Sequence, residues 1–164
     1  MTAIISPCGR YRYRLERPGI GPGATAIIMV NPSTADAELD DATIRKLRGF
    51  GARNGWGRLI VGNLFAYRAT DVAELGRVDD PVGPDNASHL ARILHDVERV
   101  VFAWGPLSKQ PKRYRHLWCG INQAAHLTGL QPLSIGPVAK CGHPKHPLML
   151  GYDLPMQRWE APRV

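Results

Sequence analysis

Four short aliphatic runs alternate along the chain with segments that carry apolar residues at helical spacing. The runs lie at residues 24–30, 58–64, 99–104 and 130–135. Continuous hydrophobicity over so few residues is typical of strands buried on both faces. The helical spacing occupies residues 41–54, 84–97 and 111–126. This alternation predicts an α/β fold, a three-layer α/β/α sandwich with a four-stranded parallel central sheet.

A different pattern precedes the first aliphatic run. Residues 10–15 alternate strictly between arginine and apolar or aromatic residues, so the three arginines share one face of a strand. The pattern predicts a half-buried, antiparallel N-terminal edge strand. A row of arginines protects such an edge from pairing, and contact with phosphate is the alternative role.

Length, composition and charge narrow the class of protein. The 164 residues predict a single domain spanning residues 1–164. No apolar run approaches the roughly 20 residues of a membrane span, and residues 1–7 lack a basic region followed by a long apolar stretch. We therefore expect a cytoplasmic protein that does not enter membranes. We also expect it to be a monomer. Three scattered cysteines predict reduced thiols. The net charge of +7 favours nucleic acid or a phosphorylated small molecule as partner, although a solvated basic surface gives the same composition.

Polar residues follow the aliphatic runs at the points where the predicted strands end. Asn31 follows the first run, Asn63 lies at the end of the second, Trp104 ends the third, and a loop containing His143 and His146 follows the fourth. Ligands of open α/β sheets bind beyond the carboxyl ends of the strands. We therefore expect one shared site at that edge of the sheet.

The order of these motifs resembles that of the uracil-DNA glycosylase superfamily over residues 24–148. Val30-Asn31-Pro32-Ser33 is similar to its water-handling motif, Gly62-Asn63-Leu64 with Arg68 to its base-reading strand end, and Trp104-Gly105 to its hydrophobic-Gly strand end. Residues 143–148 partly match its final histidine loop. In that loop Lys145-His146 interrupts the family pattern, so either His143 or His146 is the equivalent histidine.

A closer resemblance spans nearly the whole chain. The segments N-P-S-T-A-D, N-L-F-A-Y-R-A-T, D-P-V-G-P and G-H-P-x-H-P-L look like those of the bacterial and phage domain-of-unknown-function family numbered sixteen forty-three. That family name carries no activity, so the functional expectation comes from the glycosylase resemblance.

The glycosylase resemblance implies hydrolysis of the N-glycosidic bond of a modified or damaged base in nucleic acid, with DNA expected, and without metal or another cofactor. Asn31 would orient the water, and His143 or His146 would donate a hydrogen bond to the departing base. Because an amide cannot accept a proton, Asp36 is the reserve catalytic residue, and its alternative role is to cap the following loop or helix.

Base recognition and backbone contact involve a second group of residues. Asn63 would read the base edge, and an aromatic ring would stack on the extruded base, although each aromatic candidate can equally belong to the core. The aromatic candidates are Phe65, Tyr67 and Trp104. The candidates for contact with the nucleic-acid backbone are Ser33, Arg68, Lys109, Lys112, Arg113 and Lys145, and a solvated surface is the alternative for the basic ones.

Three rival functions stay open. Cys141, His143 and His146, with Cys119, offer zinc ligands, but their spacing is not that of a standard paired motif, so we predict no metal. A non-catalytic reader of modified nucleic acid would use the same pocket and basic rim. A hydrolase of free nucleosides or nucleotides would keep the chemistry and change the substrate.

Overall fold

The aliphatic runs form neighbouring strands of one sheet. The computed structural model describes residues 1–162 of the chain. Within these residues the strands are β1 (Thr2–Ile5), β2 (Arg12–Arg17), β3 (Ala24–Met29), β4 (Arg58–Asn63), β5 (Arg99–Phe102), β6 (Pro132–Ile135) and β7 (Met156–Arg158). The α-helices are α1 (Ala42–Arg53), α2 (Asn86–His95) and α3 (Leu117–Leu127).

The predicted sheet architecture is wrong. Instead of a four-stranded parallel central sheet in a three-layer sandwich, the chain forms a single seven-stranded mixed sheet with the order β1-β2-β4-β3-β5-β6-β7. The pairs β3–β4, β3–β5 and β5–β6 are parallel, and β1–β2, β2–β4 and β6–β7 are antiparallel. The added strands are short or rich in polar residues, so tertiary pairing specifies them and hydrophobic periodicity does not.

The predicted edge strand is also wrong, because β2 lies inside the sheet between β1 and β4. Two of its arginines are buried and paired with carboxylates. Arg14 contacts Glu16 at 2.6 Å and Asp96 at 2.7 Å, and Arg17, whose side chain is fully buried, contacts Asp40 at 2.5 Å. The alternation predicted a solvated row of arginines, whereas these ion pairs allow charged side chains of β2 to be buried inside the sheet.

The two faces of β3 belong to different hydrophobic clusters. Ala26 and Ile28 pack in the cluster that contains α2 and α3, and Ile27 and Met29 pack in the cluster that contains α1. Helix α2 also approaches β4 closely, because a Cβ at Gly62 would come within 2.8 Å of a Leu90 methyl carbon. Helices therefore cover both faces and leave the strand ends open.

A side-chain cap marks the start of α1, and α3 begins later than the sequence predicted. Asp41 is the N-cap of α1, and its Oδ1 accepts a hydrogen bond from the Ile44 amide at 2.9 Å. The segment predicted as one helix from residue 111 instead contains a short 3₁₀ turn, Lys112–Tyr114, and α3 begins only at Leu117. The basic residues Lys112 and Arg113 therefore lie on the turn that precedes the helix.

Candidate functional site

A cavity of about 390 Å³ lies at the carboxyl ends of β3, β4 and β5. The first residue of β2, the first turn of α1, the segments after β4 and β5, and the loop after β6 complete its wall. The structure brings six of the residues predicted for the site to its lining: Asn31, Ser33, Asn63, Trp104, Lys109 and His146.

The Asn31 amide is fixed by two backbone carbonyl groups. Its Nδ2 donates hydrogen bonds to Ala69 O at 2.7 Å and to Pro32 O at 3.0 Å. These bonds use both amide hydrogens, so Oδ1 is the remaining polar atom and can only accept. Asn31 is therefore suited to orient a donor such as water.

Asn63 ends β4 with a buried amide that lacks a partner. The residue is 2% exposed, and its Nδ2 makes no hydrogen bond. The backbone carbonyl of Asn63, in contrast, accepts from Asn86 Nδ2 at 3.0 Å. A buried donor without a partner costs about 1–3 kcal/mol, which makes this side chain a poor structural element in the free protein.

His146 lines the cavity, and one of its ring nitrogens already accepts a hydrogen bond. Its Nδ1 accepts from the Leu148 amide at 3.3 Å at the start of the 3₁₀ turn Pro147–Met149, so the proton of the neutral ring is on Nε2. Burial lowers the pKa of His146, and the charge of Lys109 lowers it further, whereas the charge of Asp41 raises it. At neutral pH the ring is thus a neutral Nε2–H donor.

His143 lies outside the cavity in a cluster of indole rings. It is 4% exposed, and its Nδ1 accepts from Trp104 Nε1 at 3.4 Å. Its ring centroid lies 5.1 Å from that of Trp118 in an edge-on arrangement. Burial lowers the pKa of His143. Of the two predicted histidines, His146 is the one that the structure places at the cavity.

Asp36 and two of the aromatic candidates are also outside the cavity lining. Asp36 Oδ1 accepts from the Leu39 and Glu38 amides, both at 2.9 Å, and these bonds lower the pKa of Asp36. Phe65 is fully buried, with its ring edge-on to Tyr114 at 5.7 Å. The structure therefore gives Asp36 a loop contact and Phe65 a core contact.

A shallow groove adjoins the cavity and shares Ser33, Ala69 and Thr70 with it. Arg68 and Tyr67, two residues of the predicted site, line this groove. The other predicted basic residues lie elsewhere: Lys112 and Arg113 are exposed on their 3₁₀ turn, and Lys145 is partly buried beside His146 in the sequence.

Three lining residues with ionisable or amide side chains were not predicted from the sequence: Arg12, Asp41 and Gln110. Arg12 is 3% exposed; its Nη1 donates to the Ala35 carbonyl, its Nε has no partner, and burial lowers its pKa to about 10. Both amide atoms of buried Gln110 lack partners. The arginine alternation was the one available signal for Arg12, and it was interpreted as edge protection.

The part of the chain that the structure describes offers neither a cluster of metal ligands nor a membrane-spanning helix. Across residues 1–162, no three His, Cys, Asp or Glu side chains are grouped so as to hold a metal ion. Cys8, Cys119 and Cys141 are free and exposed. None of the helices described there has the length and hydropathy needed to cross a membrane.

Comparison with known proteins gives one match. Neither the curated proteins nor the solved structures contain a match to this chain. A family model matches residues 12–148, which include the cavity residues Arg12, Asn63 and His146. The chain therefore belongs to the family described as "Protein of unknown function (DUF1643)".

Proposed function

We propose that the cavity binds a nucleobase extruded from nucleic acid, with DNA the expected polymer, and that the protein hydrolyses its N-glycosidic bond. The observation that carries this proposal is the buried, unpartnered amide of Asn63 at the cavity. An amide side chain carries both donors and an acceptor, as does the edge of a nucleobase. A bound base would supply the partner that Asn63 lacks in the free protein.

The hydrogen-bonded side chains of Asn31 and His146 suit the two requirements of this reaction, a positioned water and a donor to the departing base. The sugar becomes oxocarbenium-like while negative charge grows on the departing base. Asn31 Oδ1 can accept a hydrogen bond from the attacking water, and the neutral Nε2–H of His146 can donate to the base. A preorganised donor at the developing charge is commonly worth several kcal/mol of transition-state stabilisation, about 3–4 kcal/mol in measured cases.

The size of the cavity agrees with one extruded nucleotide. A volume of about 390 Å³ lies at the lower end of the range of small-ligand sites. Trp104 belongs to the lining, but its side chain is 2% exposed and packs against the rings of Phe102 and Trp159, so polar contacts and not stacking on this ring would hold the base.

The charge distribution favours a polymer over a free nucleoside. Lys109 is exposed at the cavity, and the adjoining groove brings Arg68 beside the hydroxyl groups of Ser33 and Thr70. Cationic and hydroxyl groups next to a base pocket are suited to the phosphates that flank an extruded nucleotide. The exposed Lys112 extends the basic surface beyond the cavity.

The test is release of free base from single- and double-stranded oligonucleotides that carry uracil, hypoxanthine, hydroxymethylated or glucosylated bases. Mass spectrometry of the released base compares the wild type with Asn31→Ala and Asn63→Ala. Asn122→Ala, on α3 and outside the cavity lining, is the matched control. We expect release by the wild type and the control, and a loss of at least tenfold in the two cavity variants.

Two results would contradict the proposal. Base release that persists in both Asn31→Ala and Asn63→Ala would remove the cavity from the reaction. Tight binding that depends on Asn63 without release of any base would instead identify a non-catalytic reader of modified nucleic acid.

A further inference from the structure

The proposed reaction needs a group that removes a proton from water, and the Asn31 amide cannot do this. One carboxylate lines the cavity among the described residues, that of Asp41. Asp36, the carboxylate nearest to Asn31 in the motif, lies outside the lining with its Oδ1 bound to two loop amides. The cavity therefore brings a different aspartate to the site than the sequence motif suggested.

We propose that Asp41 is the catalytic base of this site, an assignment that rests on the proposed function. Asp41 would accept a proton from the water that Asn31 orients. No pattern in the sequence pointed to Asp41 as a functional residue.

The helix cap fixes the Asp41 carboxylate while leaving one oxygen free. Oδ1 accepts from the Ile44 amide at 2.9 Å, which ties the side chain to the first turn of α1. Among the described residues no donor is bonded to Oδ2, so this oxygen retains the lone pairs that proton transfer requires. A general base that is already oriented reaches the transition state with little reorganisation.

The charged and titratable groups around Asp41 come from three elements. The charge of Asp41 raises the pKa of Arg12 on β2 and the pKa of His146 in the loop after β6, in both cases against the effect of burial. The positive charge of Lys109, which follows β5, lowers the pKa of the same histidine. Asp41 is thus within electrostatic reach of the donor that we assign to the departing base.

The negative charge of Asp41 would also act on the sugar. Positive charge develops at the anomeric carbon as the glycosidic bond lengthens, and a nearby carboxylate stabilises it. The remaining charges of the lining, those of Arg12 and Lys109, are positive and are suited to the negative charge on the base or phosphate.

The step balances without a further reactant. Asp41 takes one proton from water as the water oxygen forms a bond to the anomeric carbon. The bond from that carbon to the base nitrogen breaks, and its electron pair leaves with the base, which accepts hydrogen bonds from His146 and Asn63. The base then takes a proton from solvent, and Asp41 returns its proton to solvent.

Asp41→Asn is the decisive variant because asparagine caps helices as well as aspartate does and cannot accept the proton. We expect kcat for base release to fall by about 10²–10⁴-fold. The affinity for an oligonucleotide containing the target base should stay within about threefold of the wild type. Asp41→Ser, which also caps helices, is a second variant should the first fail to fold.

A comparison of turnover, binding and stability separates a catalytic role from a structural one. Asp41→Asn should lower kcat while the Kd for the oligonucleotide and the midpoint of urea unfolding stay close to the wild type, because asparagine can keep the cap to the Ile44 amide. Asp36→Asn is the matched control, and we expect it to keep the wild-type rate.

Two outcomes would overturn the assignment, and they are distinguishable. An Asp41→Asn protein with the wild-type rate would remove Asp41 from the mechanism and leave the glycosidic activity in place. A wild-type protein that releases no base from any of the oligonucleotides would overturn the proposed function, and the role of Asp41 with it.

Discussion

Replacement of Asn63 by leucine should stabilise the free protein while abolishing base release. The Asn63 side chain is 98% buried, and its Nδ2 has no partner, so removal of that donor recovers about 1–3 kcal/mol of desolvation cost. Leucine has a similar size, and the misfit of such a swap usually costs less than about 1.5 kcal/mol. The net expectation is a rise in unfolding free energy of about 1 kcal/mol, or ~2–4 °C in Tm for a chain of this length.

The assay is urea unfolding at neutral pH, with base release measured on the same preparations. Asn86→Leu is the matched control, because Asn86 is equally buried and its Nδ2 donates to the carbonyls of Asn63 and Leu64 at 3.0 and 3.2 Å. The same substitution there leaves two carbonyl groups without their donor, and removal of the unpartnered Asn86 Oδ1 offsets one such cost. The net change should be a loss of about 1–3 kcal/mol in unfolding free energy. The two variants are therefore expected to change stability in opposite directions.

One result would refute this reasoning. If Asn63→Leu lowers the unfolding free energy as much as Asn86→Leu does, the Asn63 amide contributes to the fold and its lack of a partner does not indicate a ligand. Retention of base release by Asn63→Leu would refute the functional half of the prediction independently of the stability result.

Three further predictions concern pH, salt and a buried ion pair. Burial lowers the pKa of His143 below its ordinary 6.5, so the unfolded chain binds more protons than the folded chain below that pH, and the unfolding free energy falls. His143→Asn keeps an acceptor for Trp104 and should reduce the difference in unfolding free energy between about pH 5.5 and about pH 7.5, as measured by urea unfolding. An unchanged difference would contradict this prediction. Lys112→Gln should weaken oligonucleotide binding and reduce the salt slope of log K by about one, as measured by fluorescence anisotropy, and an unchanged slope would remove Lys112 from the phosphate surface. Arg17→Met removes the 2.5 Å partner of Asp40, which keeps its 2.9 Å contact with Arg48, and leaves the Asp36 and Leu39 carbonyls without a donor. We expect a cost of about 2–3 kcal/mol in urea unfolding, whereas a loss below about 1 kcal/mol would show that the pair is not needed.

Hydrophobic periodicity located the strands buried on both faces but could not define the extent of the sheet. The run at residues 58–64 is observed as β4, Arg58–Asn63, because continuous aliphatic residues specify a buried strand wherever it pairs. Strand β7, Met-Gln-Arg, has no such pattern and exists because its backbone pairs with β6. Strand β2 has a clear pattern, but ion pairs such as Arg17–Asp40 determine its burial, and these partners are 23 residues apart in sequence.

The site was predictable where it depends on strand ends and unpredictable where it depends on tertiary packing. Asn31, Asn63 and Trp104 follow or end buried strands, and parallel strands bring their carboxyl ends to one edge. Arg12 and Gln110 reach the same cavity from β2 and from the segment after the 3₁₀ turn Leu107–Lys109, and no local spacing connects them to it. Their contribution depends on the position of β2 inside the sheet, which the sequence analysis assigned to the edge.

The unpartnered polar atoms of the cavity also restrict which ligand can fill it. Buried polar groups in native proteins are nearly always hydrogen-bonded, yet Arg12 Nε, Asn63 Nδ2 and both amide atoms of Gln110 lack partners, and all three residues belong to the lining of the same cavity. An apolar ligand would leave these groups unpaired and keep their cost, about 1–3 kcal/mol each. A ligand that recovers this cost must offer acceptors to Arg12 and Asn63 and an adjacent donor and acceptor to Gln110. The edge of a nucleobase presents such adjacent groups on a planar ring, and the sugar and phosphate attached to it supply further acceptors.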